Sequence, residues 1–146
     1  MPRELFTIGY EGTDIDTFIA NLKRHAIDCL LDVRELPISR KRGFSKSALA
    51  ERLESEDITY VHLKELGAPK AVREELKLRR DYRVYFRKIE NYLAGNKGYV
   101  DKAYAYVKKD RCCLMCFELI AATCHRKVVA KKIKELDGNG LRVRNI

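Results

Sequence analysis

Glu118, Cys124, His125 and Arg126 crowd the end of one short apolar run, Cys112-Cys-Leu-Met-Cys-Phe. A carboxylate, a thiol, an imidazole and a guanidinium so close together can move protons, attack an electrophile or hold an anion. Cys124-His-Arg126 reads as the opening of a helix, where the dipole lowers a thiol pKa and free backbone NH groups bind anions. Three roles for Cys124 stand open: nucleophile, anion-binding element and N-cap. Position 130 is Ala, so the segment is neither a Cys-x5-Arg phosphatase loop nor a sulfurtransferase loop.

Other chemistry-bearing residues follow other apolar runs. Gly9 and Tyr10 come after Leu5-Phe-Thr-Ile8, and Asp32 sits near the end of Cys29-Leu-Leu-Asp-Val33. Arg34, Ser39, Arg40 and Arg42 come next, in a loop whose glycine and clustered cations suit a phosphate clamp as well as a solvated turn. Asp32 has two readings, an acid–base residue or a structural partner for backbone NH groups or an arginine. His62 and Tyr10 read as packed, hydrogen-bonded side chains rather than ligands.

The positioning elements follow from periodicity. After the first strand, Thr13 and Asp16 stand at capping-box spacing, and Ile15, Phe18, Ile19, Leu22 and Ile27 trace a helical face. Phe44 and Leu49 staple a helix that starts at Ser45 and ends near Glu56. A strand spans Ile58 to His62, and Pro69 opens another helix. Residues 82–108 are helical, divided at Asn96-Lys-Gly98. Residues 112–117 form the fourth strand, and Gly138-Asn-Gly140 turns into a last one, Leu141 to Arg144. This alternation predicts an α/β fold: one domain over residues 1–146, with a mostly parallel sheet of about five strands and helices on both faces. In such a sheet the loops after parallel strands meet at the carboxyl edge, which brings the residues above into one crevice.

The chain has 146 residues and a net charge of +9, a balance that favours phosphate-bearing partners, small molecule or nucleic acid. The start lacks signal-peptide character, and no apolar stretch is long enough to span a bilayer. Five cysteines without a secretion signal point to free thiols in a reducing cytoplasm. Cys113 and Cys116 have the spacing of a zinc knuckle or redox pair, but on a strand they face opposite ways. Cys112, Cys113 and Cys116 are therefore expected as small core residues, with no metal. No Rossmann glycine pattern, Walker A sequence or His-x-x-x-His arrangement occurs, so no cofactor is implied.

Thr7-Ile-Gly-Tyr-Glu-Gly12, Leu31-Asp-Val-Arg34 with Pro37 and Ser39-Arg40, Tyr60, Leu66-Gly67, and Cys116-Phe-Glu118 leading into Cys124-His-Arg126 occur in this order. Together they resemble the domain-of-unknown-function 488 family over nearly the whole chain. The resemblance implies an α/β domain and supports the choice of site residues; it implies no established activity.

Two functions compete. In the first, an enzyme acts on a phosphorylated substrate held by Arg34, Arg40 and Arg126, with Gly9, Tyr10, Ser39 and Arg42 beside them. Glu118 or Asp32 is then general acid or base, with His125 nearby and Cys124 as possible nucleophile. The second is a non-catalytic nucleic-acid-binding module. It would use a basic face of Lys41, Lys46, Arg79, Arg80, Arg83, Arg87, Lys88, Lys127, Lys131 and Lys132. A thiol sensor centred on Cys124 is a third, lacking an evident resolving cysteine.

Overall fold

A computed structural model describes residues 3–146; Met1 and Pro2, part of the start searched for a leader, lie outside the described residues. In chain order the elements are β1 (Glu4–Gly9), α1 (Ile15–Arg24), β2 (Cys29–Asp32), α2 (Lys46–Ser55), β3 (Thr59–His62) and α3 (Lys70–Arg79). Then follow α4 (Tyr82–Ala94), α5 (Lys97–Lys109), β4 (Cys112–Cys116), α6 (Arg126–Asp137) and β5 (Arg142–Asn145). The five strands form one sheet in the order β3-β2-β4-β1-β5, and every neighbouring pair is parallel. The predicted α/β class and strand number hold.

The two-residue period of a strand divides the interior into two cores. Cys112, Leu114 and Cys116 of β4 join Leu5 and Leu31 in a core closed by Ile89, Val100, Val107, Val129 and Ile133 of α4, α5 and α6. Cys113 and Met115 face the other way, joining Phe6, Ile8 and Leu30 under Phe18 and Leu22 of α1 and Leu49 and Leu53 of α2. Cys113 and Cys116 thus lie on opposite faces, as their spacing on a strand requires. A central strand buried on both faces reads as an uninterrupted apolar run, which is what β4 is.

Three local expectations shift. The N-cap of α1 is Asp14, whose Oδ1 accepts from the Thr17 NH at 2.7 Å; the pairing predicted between Thr13 and Asp16 gives way to it. Ser45 does precede α2, but its hydroxyl turns back to brace Ser39 instead of capping the helix. Gly98 lies inside α5, not in the break before it. A methyl group there would meet nothing within 4 Å. Gly98→Ala is therefore expected to raise stability by about 0.5 kcal/mol, seen as a higher urea midpoint with unchanged slope.

Connection directions create the site. The chain leaves β1 and β2 through helices on one face and leaves β4 through α6 on the other, while β4 lies between β1 and β2. Loops that diverge in this way leave a crevice at the carboxyl ends of these strands. No helix among the described residues is long and apolar enough to cross a membrane.

Candidate functional site

A cleft of about 680 Å³ occupies that crevice. Tyr10 follows β1, Arg34, Ser39 and Arg40 follow β2, Ala68 follows β3, and Cys116, Phe117 and Glu118 end β4; all line it, with His125. Arg73, Leu76 and Lys77 of α3 and Tyr85 of α4 form the facing wall. Four loops predicted to meet do meet.

Asp32 and Arg34 form a buried ion pair beneath the cleft. Asp32 has no exposed surface, and its two oxygens accept from Arg34 Nε at 2.9 Å and Nη2 at 2.8 Å. The Arg34 backbone NH at 3.1 Å and the Tyr60 hydroxyl at 2.6 Å complete its bonds. Arg34 Nη1 donates to the Phe44 carbonyl at 2.7 Å and the Tyr10 hydroxyl at 3.1 Å. Burial alone would lower the Arg34 pKa, but the bonds and charge of Asp32 outweigh it and keep the guanidinium protonated. Burial, reinforced by Asp32, pushes the Tyr60 phenol up. Asp32 is thus paired with an arginine and a backbone NH, as its structural reading describes, and Arg34 has its donors engaged internally, where a phosphate contact was expected. Tyr10 packs face to face on Phe44, with ring centroids 4.4 Å apart.

Arg126 is likewise drawn inward. It is 1% exposed; Nη1 donates to the Glu118 carbonyl and Nη2 to that of Leu119 at 3.1 Å. These bonds tie the guanidinium to the post-β4 loop. Gly9 serves the same loop: a Cβ at this position would lie 1.7 Å from the Glu118 carbonyl oxygen. The close approach it permits is to its own chain, where a phosphate contact was expected. Leu119 and Ile120, by contrast, are largely exposed.

Behind the loop lies a compact sulfur, nitrogen and oxygen cluster. Cys116 Sγ and Cys124 Sγ each donate to Glu118 Oε2, both at 3.3 Å. His125 Nδ1 lies 3.7 Å from the first sulfur and 3.8 Å from the second. His125 Nε2 bonds the Val33 carbonyl at 2.9 Å, and the Arg126 NH points to Cys124 Sγ at 3.5 Å. Cys124 precedes the α6 N-cap, His125, and has no exposed surface. Burial and then Cys116 push its thiol well above the ordinary value, against the lowering by a helix start that the nucleophile reading draws on. For His125, burial opposes protonation, but Cys124, the Val33 carbonyl and Glu118 outweigh it and move the imidazole up. Glu118 alone of the four is incompletely buried, and it borders the cleft.

The cationic loop is split. Ser39 and Arg40 reach the cleft, whereas Lys41 and Arg42 line a separate groove with Asp14, Asp16 and Arg52. Arg42 is thus not part of the phosphate clamp expected. Ser39 is fixed by Ser45 and by the Lys41 NH, which donates to its Oγ at 3.1 Å. His62 is half-buried with Nε2 on the Arg34 carbonyl, as expected.

Arg73, Lys77 and Tyr85 were missed. The first pairs with Glu35 at 2.7 Å, and Lys77 is exposed at the rim. They sit within helices, past the strand-end loops that drew attention, and the packing of α3 and α4 beside the sheet edge brings them over the cleft. The grouping of Cys116 with Cys124 also went unseen. Its available signal was a strand-end cysteine whose side faces the core beneath α6, together with the Cys-His pair that starts that helix.

The family comparison agrees with the motifs. A family model described as Domain of unknown function DUF488 matches residues 14–133, most of the chain. Neither the curated proteins nor the solved structures give a match. With its post-strand motifs gathered at one sheet edge and the family model spanning α1 through most of α6, the chain belongs to the DUF488 family.

Proposed function

We propose that the protein is an enzyme acting on a phosphate-bearing substrate, a nucleotide or a nucleic-acid segment, in the cleft at the carboxyl edge of the sheet. One observation carries this: exposed cations Arg40 and Lys77 face a 680 Å³ cleft into which the half-buried carboxylate Glu118 opens. In this reading Arg40 and Lys77 hold the phosphate, and Ser39 offers a hydroxyl beside them. Glu118 accepts or returns a proton at its carboxylate. Arg34, Asp32 and Arg126 are positioning residues, since their bonds go to the frame. The free thiols, all buried, suit a reducing compartment such as the cytoplasm.

A thermal-shift screen tests the reading with nucleotides, sugar phosphates and oligonucleotides at low and moderate salt. A ligand at 100 times its Kd stabilises a fold by about 2.7 kcal/mol. The expected result is a salt-tolerant shift from a small phosphate, abolished in the Arg40→Ala/Lys77→Ala double variant. Glu118→Gln should retain the shift and lose turnover of that compound, followed by product chromatography. No shift from any phosphate compound would sink the proposal.

The second reading, nucleic-acid binding without catalysis, is favoured by the exposed Arg80, Arg83 and Arg87 beyond the cleft. Counting against it, the basic face is partly neutralised: Arg79 and Lys88 share Glu75, and Lys131 and Lys132 share Glu90. Shifts confined to oligonucleotides, fading with salt and retained by the double variant, would favour it.

A further inference from the structure

We propose that Cys116, Cys124, His125 and Glu118 form a tetrahedral zinc site at the floor of the cleft. The geometry comes first. Tetrahedral zinc with sulfur, nitrogen and oxygen ligands separates neighbouring ligand atoms by about 3.5–3.8 Å. The four sulfur-to-oxygen and sulfur-to-nitrogen separations here are 3.3, 3.3, 3.7 and 3.8 Å. One ligand atom from each of Cys116, Cys124 and His125 lies within 4.8 Å of the others, and all three residues are buried. A small adjustment of side chains brings the two sulfurs and Nδ1 to one ion, and Glu118 Oε2, already bonded to both sulfurs, swings in as the fourth donor.

The orientation of the imidazole is an independent observation. Val33 offers only a carbonyl oxygen, an acceptor, at 2.9 Å from His125 Nε2. Nε2 therefore carries the proton, and in the neutral ring the Nδ1 lone pair points between the two sulfurs. A backbone carbonyl that fixes the tautomer from behind is the usual companion of a metal-bound histidine. The Arg126 NH directed at Cys124 Sγ likewise suits a thiolate.

Charge balance favours the exchange. Without metal, two thiol protons are donated to one carboxylate oxygen in a buried setting. Zinc(II) entering the cluster displaces those two protons, and the sulfurs become thiolate ligands. Two positive charges leave and two arrive, so the buried cluster keeps its net charge. Two thiolates, one imidazole and one carboxylate in tetrahedral array select zinc over magnesium or calcium.

The site has a closed side and an open one. Cys116, Cys124 and His125 are buried, while Glu118 borders the cleft and is the ligand that water or substrate can replace. Three fixed ligands plus one exchangeable position is the arrangement of catalytic rather than structural zinc. Metal binding itself does not depend on the phosphate reading and is measured without substrate.

The test is metal content and cobalt spectroscopy on the full chain, purified under reducing conditions. The expected result is about one zinc per chain by elemental analysis. Cobalt(II) replacing it should give the intense visible bands of tetrahedral coordination, with thiolate charge transfer in the near ultraviolet. Cys116→Ser and Cys124→Ser, each leaving one thiolate, should each weaken the charge-transfer bands and the double variant should lose them, whereas Cys113→Ala, altered on the opposite face of β4, should keep the full spectrum. Because the wild-type measurement needs no variant, a folding failure in either serine variant leaves the test intact. Zinc content well below one per chain after incubation with zinc would overturn the proposal. So would an octahedral cobalt spectrum without thiolate bands, or their loss in Cys113→Ala.

Discussion

Asp32→Ala is expected to destabilise the fold by about 3–5 kcal/mol, which for a chain of this size removes a large share of its stability. The substitution leaves the Arg34 guanidinium, 6% exposed, charged and without its carboxylate among buried neighbours. Three bonds from Arg34 and one from the Tyr60 hydroxyl lose their acceptor together. Replacing both partners, as in Asp32→Leu/Arg34→Met, should cost less than the single change, because no uncompensated charge stays behind. Urea unfolding of the two variants checks this. A single-variant loss below about 1 kcal/mol would mean that Arg34 reaches water on its own. The same experiment bears on function: an Asp32 that acted as a general base would be missed in turnover without being missed in stability.

Gly9→Ala is expected to be of similar severity, about 3 kcal/mol or more, through overpacking that no rotamer can relieve. The added methyl meets backbone: the Glu118 carbonyl oxygen at 1.7 Å, its carbon at 2.5 Å and Leu119 Cα at 2.9 Å. Either β1 or the loop after β4 must move, and Arg126, which grips that loop through two carbonyls, must move with it. The variant should therefore lose cleft binding and metal uptake along with stability. A Gly9→Ala protein with an unchanged urea midpoint would show that the loop yields freely and that its position is not fixed by β1.

Local patterns carried the architecture, and long-range pairing hid the roles of the charges. The short apolar strands β1, β2 and β4, each followed by a helix with an apolar face, announce a parallel sheet without further information. The loops after β1, β2 and β4 could be named as neighbours for the same reason. A guanidinium, in contrast, looks alike in sequence whether it meets a ligand or a carboxylate. Arg34 folds back on a partner two residues away, Arg126 reaches the carbonyls of the loop just before it, and Arg40 alone of the three stays at the surface. The cysteines mislead in a related way. Cys113 and Cys116 are close along the chain but divided by the sheet, while Cys116 and Cys124 are joined by a loop whose path depends on Gly9 and Arg126, far apart in sequence.

The position of β4 between β1 and β2 has a consequence for how the protein must be made. β1 and β2 emerge from the ribosome early, yet neither can pair with the other; β1 has only β4 and β5 as neighbours. The first strand synthesised therefore waits about 100 residues for its earliest partner, β4, at Cys112–Cys116. During that interval the edges later closed by β4 are open to wrong partners, including other chains, so aggregation in a nascent or truncated product is expected there. The same insertion completes the cleft floor, because Glu118 follows β4 directly. Folding and the assembly of the site thus become one late event, governed by a strand that arrives from the far end of the chain.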